Sequence, residues 1–524
     1  MAQGAEGIGR RAARTLYASL AGKFIALGVT TVTFLVIANL LGRSNYGLYT
    51  LAIYYASLVG GVSNFGVAAY FDRHISAMSY KKDRRGIARV LSNGFTILVP
   101  VALGFAALGV LLSGFVTGAL HSQNLQTTSL LIVSMDLFFS MLWGAAYSAL
   151  IGFGNGRGAA ISGISINLIQ LITGAGLVLS GFGVNGALLG LLLGDALGFF
   201  MMSGFIMSSL KGLGISRLPK PDAPGLYDNL RFSTLMGTYN FVTGGVISFA
   251  TLYLGVFAAS ELVGDFGAAL RALGVLTIVF GTLSSILIQA FSTVLKVYKS
   301  REAILSRYNK ALDYSLLLNL PIIVFTGVFA QQIISILLHA FVGAPSYILL
   351  IAAGTSISVI NYFMSSFLVS VGKVNDLLKY VLISVLIQLV AVLLLVPTYK
   401  AVGAIVAVYF IGNVVNLALF SRIIRREFGI RLQKVRIISM YVASIILGMI
   451  ISAVHLIPNS YAQIGVGIIA VILLYPPLLV IFKGVDTGTL DEVREHVRGL
   501  PLMGKLMYWL SRYTSIFTRF FNTA

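Results

Sequence analysis

The chain has 524 residues, 57% of them hydrophobic and only 10% charged, and carries a formal net charge of +20. Soluble proteins average about 25% charged residues, so this composition excludes a soluble globular chain. Its basic residues flank apolar runs in short clusters, which excludes a nucleic-acid surface, and with no cysteine it has no disulfide, thiol nucleophile or Cys-ligated metal.

A run of about 20 apolar residues crosses a bilayer as helix. Reading such runs between polar breaks predicts about fourteen spans, near 15–41, 46–70, 90–117, 128–152, 159–181, 184–210, 232–259, 264–294, 311–337, 345–371, 379–397, 401–421, 437–456 and 462–482. Arg10, Arg11 and Arg14 precede a first run far longer than the core of a cleavable signal, so that run is expected to remain as a helix.

Of the 37 Lys and Arg residues, 33 lie at the termini or in every second gap, all but Lys23, Arg43, Arg271 and Lys400. Basic loops stay on the cytoplasmic side. Both termini are therefore expected in the cytoplasm of a multi-pass cell-membrane protein.

The chain repeats itself. Leu168-Ile169-Gln170-Leu171 recurs as Leu386-Ile387-Gln388-Leu389, and Gly154 before Arg157 matches Gly372 before Lys373, both at an offset of 218. Gly186-Ala187 and Gly403-Ala404 are 217 apart, as are Gly47 and Gly264. The first six spans thus map onto the next six. Six being even, both halves enter from the same side, as parallel repeats.

The expected architecture is all-α: a six-helix lobe at 1–210, a cytoplasmic linker at 211–231 marked by Pro219, Pro221 and Pro224, and a second six-helix lobe at 232–424. Two additional spans at 437–482 and a tail at 483–524 follow. In the tail Arg498, Lys505, Arg512 and Arg519 recur every seven residues, the pattern of an amphipathic helix on an anionic leaflet. Repeated halves in a multi-span protein point to a transporter.

Leu41-Gly42-Arg43-Ser44-Asn45-Tyr46-Gly47-Leu48-Tyr49 resembles the LG-x-x-x-YG-x-Y signature of Wzx-type polysaccharide flippases, members of the multidrug/oligosaccharidyl-lipid/polysaccharide superfamily. Asn64-Phe65-Gly66-Val67, followed by Arg73-His74-Ile75-Ser76, resembles the ending of their second helix. Gly403-Ala404 and the stretch from Phe367 to Lys373 fit the later half. The resemblance implies a flippase that carries a lipid-linked oligosaccharide, on a polyprenyl phosphate or pyrophosphate, from the cytoplasmic to the outer leaflet by alternating access. The segment Phe232-Ser233-Thr234-Leu235-Met236 lacks the proline that family members often carry there, so no ion-coupling role passes to that helix.

Ionisable and amide groups inside apolar spans are the candidate site residues, because burying them is costly unless they serve a cavity or a partner. Lys23 and Arg271 are candidate contacts for an anionic headgroup. Arg271 shares a helical stripe with Thr282, Ser285 and Gln289. Snorkelling of Lys23, and a pair between Arg271 and Glu261, Asp265 or Asp136, are the structural alternatives. Arg43, Asn64 and Arg73 lie at helix ends in the motif regions. Gln170, Gln388, Asn240 and Asn361 are candidates to bond sugar hydroxyls, or helices to one another.

Asp136, on one face with Ser129, Ser140 and Tyr147, is a candidate ion-coupling residue. So is Asp195, although its neighbours Gly186, Gly190, Gly194 and Gly198 form a small-residue ladder that equally marks a packing face.

No H-E-x-x-H, P-loop or dense acid cluster occurs, so no enzyme activity, cofactor or metal is expected. The expected partners are the lipid-linked glycan and membrane lipids, with the protein a monomer. Two other readings stay open: a drug or cation exporter of the same superfamily, and a non-transporting membrane scaffold.

Overall fold

In the computed structural model, residues 2–60, 66–80, 83–120, 125–215, 217–274, 301–430, 432–485, 512–515 and 517 are described. All regular structure among them is helical: α1 (Ala2–Val59), α2 (Val67–Tyr80), α3 (Arg84–Ala119), α4 (Thr127–Gly152), α5 (Gly156–Leu177), α6 (Gly183–Gly212), α7 (Ala223–Phe257), α8 (described over 260–274), α9 (Arg301–Val328), α10 (Ala330–Leu337), α11 (Ala344–Ser370), α12 (Val374–Ile405), α13 (Gly412–Phe428), α14 (Lys434–Ser452) and α15 (Ser460–Ile481).

Ten helical stretches among the described residues are long and apolar enough to cross a membrane. The stretches 156–212 and 374–428 run 57 and 55 residues. At 1.5 Å per residue either would be about 80 Å long, more than twice the hydrocarbon thickness, so each must turn back. The first turns at Gly181 (φ 93°) and Gly183 (φ 52°), and the second at Lys400 (φ 50°). Helix α1 breaks likewise at Gly42, at φ 69° and ψ 174°. The ten stretches therefore make thirteen arms among the described residues, and α8 is a further helix. The chain is an all-α, multi-pass membrane protein.

The two turns are the same turn. Gly183 adopts φ 52°, ψ −131°, and Lys400, 217 residues later, adopts φ 50°, ψ −126°. Glycine takes that conformation freely, whereas a side chain is strained there by about 1–3 kcal/mol. Lys400→Gly is expected to raise stability by about 1 kcal/mol, once the extra freedom of glycine in the unfolded chain is subtracted. A rise of a few degrees in the melting midpoint in detergent checks it; no rise would mean that Lys400 is not strained.

Helix starts follow capping chemistry. Asp83 Oδ1 accepts from Gly86 N at 2.9 Å, Asn155 Oδ1 from Gly158 N at 2.9 Å, and Asn459 Oδ1 from Tyr461 N at 2.8 Å. Asp222 caps α7 just before Pro224, so that helix begins at Ala223, inside the stretch the prolines mark as linker. The Asn93 amide, donating to Asp222 Oδ1 at 2.9 Å, holds this carboxyl below its ordinary value.

The helices group into two compact units, Met1–Gly267 with Leu393–Ala404, and Ala268–Val392 with Ile405–Ala524. In the first, Phe71 and Ile75 of α2, Leu91 and Leu98 of α3, and Ala145, Ala146 and Ala149 of α4 form a fully buried core. In the second, Tyr308 of α9 packs edge-on between Phe363 and Phe367 of α11, with ring centroids 4.9 Å away in both cases.

The repeat extends to contacts. Asn155 Nδ2 donates to Ser209 Oγ in the first unit; in the second, Lys373 Nζ donates to Glu427 Oε2, each partner 218 residues on. The Glu427 carboxylate holds the Lys373 ammonium above its ordinary value. A Cβ at Gly186 would meet the backbone of Leu177, and one at Gly403 the backbone of Leu395. Asn64, Thr282, Ser285, Gln289 and nearly all of the tail beyond Val485 lie outside the described residues.

Candidate ion-coupling site

Helices α5 and α6 approach closely because glycines face the contact. A Cβ at Gly190 would strike the backbone of Gly174, and Cβ atoms at Gly194 and Gly198 would strike Gln170 and Ile166. This closeness carries the Gln170 amide to Asp195, where Nε2 donates to Oδ1 at 2.8 Å. The glycine ladder and the acid thus belong together: the ladder sets the distance, and the amide meets the carboxyl.

On the other side of α6 lies α4. Asp136 adjoins Asp195 there, and the indole of Trp143, about two turns further along the same face of α4, lies beside Asp195 as well. Both acids are buried, at 6% and 4% exposure. Asp136 Oδ1 has no hydrogen-bond partner among the described residues. Two carboxyls that adjoin away from water do not both carry charge without a cation between them. The pair is therefore suited to holding one proton or one small cation.

Asp136 opens onto a cavity of about 290 Å³, walled by Ile53, Ser57 and Gly60 of the α1 segment, Ser140 of α4, Leu191 of α6 and Asn240 of α7. Liquid water occupies about 30 Å³ per molecule, so this space holds several waters against polar groups on three helices. The structure thus gathers Asp136, Asp195, Gln170 and Asn240. The sequence left both amides open between sugar hydroxyls and neighbouring helices; Gln170 bonds the neighbouring helix. Sequence reasoning missed Trp143, although a buried indole N–H near two acids at helical spacing was a usable signal.

The equivalent place in the second unit is neutral. Adding 218 converts Asp136, Trp143, Gln170 and Asp195 into Gly354, Asn361, Gln388 and Asn413. These four also meet. Asn413 Nδ2 donates to Gly354 O at 3.1 Å, Asn361 Nδ2 to Asn413 O at 2.9 Å, and Gln388 lies against Gly412 as Gln170 lies against Gly194. Gln388 Nε2 additionally donates to Ser384 Oγ at 3.0 Å. Here Asn361 ties α11 to α13, Gln388 bonds within its own helix, and no carboxyl takes part among the described residues.

The cationic candidates have surroundings of their own. Arg43 is committed to Asp265: its Nε donates to Oδ2 at 2.9 Å and a second guanidinium nitrogen reaches the same oxygen. Asp265 is 1% exposed. Arg43→Ala is expected to cost about 3–5 kcal/mol by leaving that carboxylate buried without its cation, and Arg43→Ala with Asp265→Ala less than the single change. Melting midpoints of the two variants check this; equal losses would show that the pair is not what matters.

Arg73 is exposed and its guanidinium lies 5.5 Å from the ring centre of Phe232. Arg271 is exposed and has no ion pair among the described residues. Lys23 lies within α1, and its side chain is outside the described residues.

No family model matches the chain, and no curated protein sequence matches it. Solved structures do. The chain is similar to the lipid II flippase MurJ in an inward closed conformation, with a TM-score of 0.70 and 16% identity over 89% of this chain and 98% of that one. It is similar to an inward-facing MATE-family multidrug resistance transporter, with a TM-score of 0.62 and 12% identity over 78% of this chain and 98% of the other. A superfamily transporter from Pyrococcus furiosus, described as having a binding pocket of reversed polarity, gives a TM-score of 0.54 and 14% identity over 79% of this chain and 95% of that one. The chain has the fold of the multidrug/oligosaccharidyl-lipid/polysaccharide superfamily.

Proposed function

We propose that this protein is an ion-coupled flippase that moves a lipid-linked oligosaccharide from the cytoplasmic to the outer leaflet by alternating access, with both termini in the cytoplasm. The observation that carries the transport reading is the buried Asp136–Asp195 pair beside a polar cavity, within a superfamily fold whose repeated half is neutral at the same place. An acid pair is not required for helices to pack in this arrangement, since amides hold the same place in the second half. The lipid-linked substrate is favoured by the motif from Leu41 to Tyr49 and by the likeness to a lipid II flippase along 89% of the chain.

The physics asks for such a carrier. A phosphorylated glycan cannot cross about 30 Å of hydrocarbon alone, because each unpaired polar group there costs several kcal/mol. Lys23, Arg73 and Arg271 are proposed to guide the anionic headgroup, and Asp136 with Asp195 to take up and release the driving ion. The acid pair also favours a second reading, export of an organic cation.

Reconstitution separates them. Proteoliposomes holding a polyprenyl-diphosphate oligosaccharide with a fluorescent sugar are assayed for its appearance in the opposite leaflet under an imposed proton or sodium gradient. Gradient-dependent movement is expected, and its loss in Lys23→Ala and Arg271→Ala variants that fold normally. Normal flipping by both variants would refute the cationic path. Export of an organic cation with no glycan movement would favour the exporter, and movement of neither the scaffold.

A further inference from the structure

The second unit contains a cavity of about 920 Å³ that shares no residue with the acid pair or the space beside it. Its walls are the end of α13, the start of α14, Tyr308 of α9 and Lys483 after α15. The volume is that of an ordinary small-molecule site, about 300–1,000 Å³.

Five cations line this cavity, Arg422, Arg425, Lys434, Arg436 and Lys483, and no carboxylate does among the described residues. Arg436 is engaged, its Nε lying 3.0 Å from Asp313 Oδ2. The other four have no ion pair among the described residues. Gathered like charges repel unless an anion sits among them. Helix α14 adds to the field: it starts at Lys434, its N-cap Gln433 makes no side-chain cap, and first-turn N–H groups favour an anion.

A second feature points to a ligand. Tyr308 is fully buried, yet its hydroxyl has no hydrogen-bond partner among the described residues. A buried hydroxyl without an acceptor is costly, and a phosphate oxygen in this cavity would supply one. From the cavity, Val435, Ile438, Ile445 and Met449 run along one exposed face of α14, a path on which an acyl or prenyl chain can lie.

We infer that this cavity binds the phosphate of an anionic lipid, with Arg422, Arg425, Lys434 and Lys483 as charge partners and the Tyr308 hydroxyl as donor. The inference does not depend on what the protein transports.

Native mass spectrometry of the full-length protein in detergent tests it, with phosphatidylglycerol, phosphatidylcholine and inorganic pyrophosphate as probes. Phosphatidylglycerol is expected to bind about tenfold tighter than phosphatidylcholine. Arg422→Gln/Arg425→Gln/Lys434→Gln is expected to weaken it about 100-fold, each charge near a lipid surface being worth about fivefold. Tyr308→Phe, which keeps the ring packing, is expected to weaken it about tenfold. Arg84→Gln/Arg85→Gln/Lys211→Gln, an equal loss of charge in the first unit, is expected to leave it unchanged.

Competition by pyrophosphate would support the phosphate chemistry. Pyrophosphate binding without lipid binding would overturn the lipid source. Wild-type lipid affinity in the folded triple variant would overturn the site, and if that variant does not fold, Tyr308→Phe decides alone. Because the readout is binding, failure here leaves the acid-pair reading standing, and failure of transport leaves this one standing.

Discussion

Asp136→Asn is expected to uncouple transport from its driving gradient while leaving the fold intact. The change keeps volume and hydrogen-bonding shape but removes the charge, and the second unit shows that a neutral site of this design packs well. Transport under an imposed gradient should fall by about 5- to 150-fold, the span of ordinary coupling free energies. Asp195→Asn should do the same, and the double variant should be no worse than either, since one ion is shared by two groups that act as a unit. Exchange without a gradient should persist. Stability should hold or rise, because removing one of two adjoining buried carboxyls removes a desolvation and like-charge cost. Gradient-driven uptake in proteoliposomes, set beside the melting midpoint, decides it. Full coupling in the double variant would remove the acid pair from the mechanism.

Gly264→Ala is expected to produce a large loss of stability. Two glycines let α8 cross the start of the second arm of α1: a Cβ on Gly264 would enter the carbonyl of Arg43, and one on Gly47 would enter the carbonyl of Ser260. Ser44 Oγ and Ser260 Oγ hydrogen-bond across the same crossing at 2.7 Å, and Arg43 grips Asp265 beside it. Backbone cannot swing aside as a long side chain can, so the helices must separate and the buried pair must loosen. A cost of about 3 kcal/mol or more follows. Gly104→Ala is the control, because nothing lies within 4 Å of its Cβ position. In a helix interior that change is expected to stabilise by about 0.5–1 kcal/mol. Thermal melting of both variants in one detergent tests the contrast, and similar midpoints would refute it.

Much of this was legible in the sequence because water and hydrocarbon impose it. Hydrophobic runs gave the arms. The offset between Gln170 and Gln388 gave a repeat that persists to single contacts, both side chains lying against a glycine of the next helix. Asp136 and Asp195 stood out because acids inside apolar spans are rare. What sequence could not supply was the partner of each polar group. Arg43 and Asp265 are 222 residues apart and opposite charges alone do not say who meets whom. Gln170 looked equally suited to a sugar or a helix until the α5–α6 distance assigned it to Asp195. The turn at Lys400 was hidden for another reason: its conformation belongs to glycine, and only its twin at Gly183 carries the residue that announces it.

The neutral Gly354–Asn413 pair bears on stoichiometry. Under the proposed coupling, a duplicated machine with carboxyls in one copy alone would draw a single elementary charge per turnover, and at 100 mV that is about 2.3 kcal/mol, enough for roughly a fiftyfold cargo imbalance. Placing acids at both positions, Gly354→Asp with Asn413→Asp, would on the same proposal make the duplicate a second engine and square that ceiling.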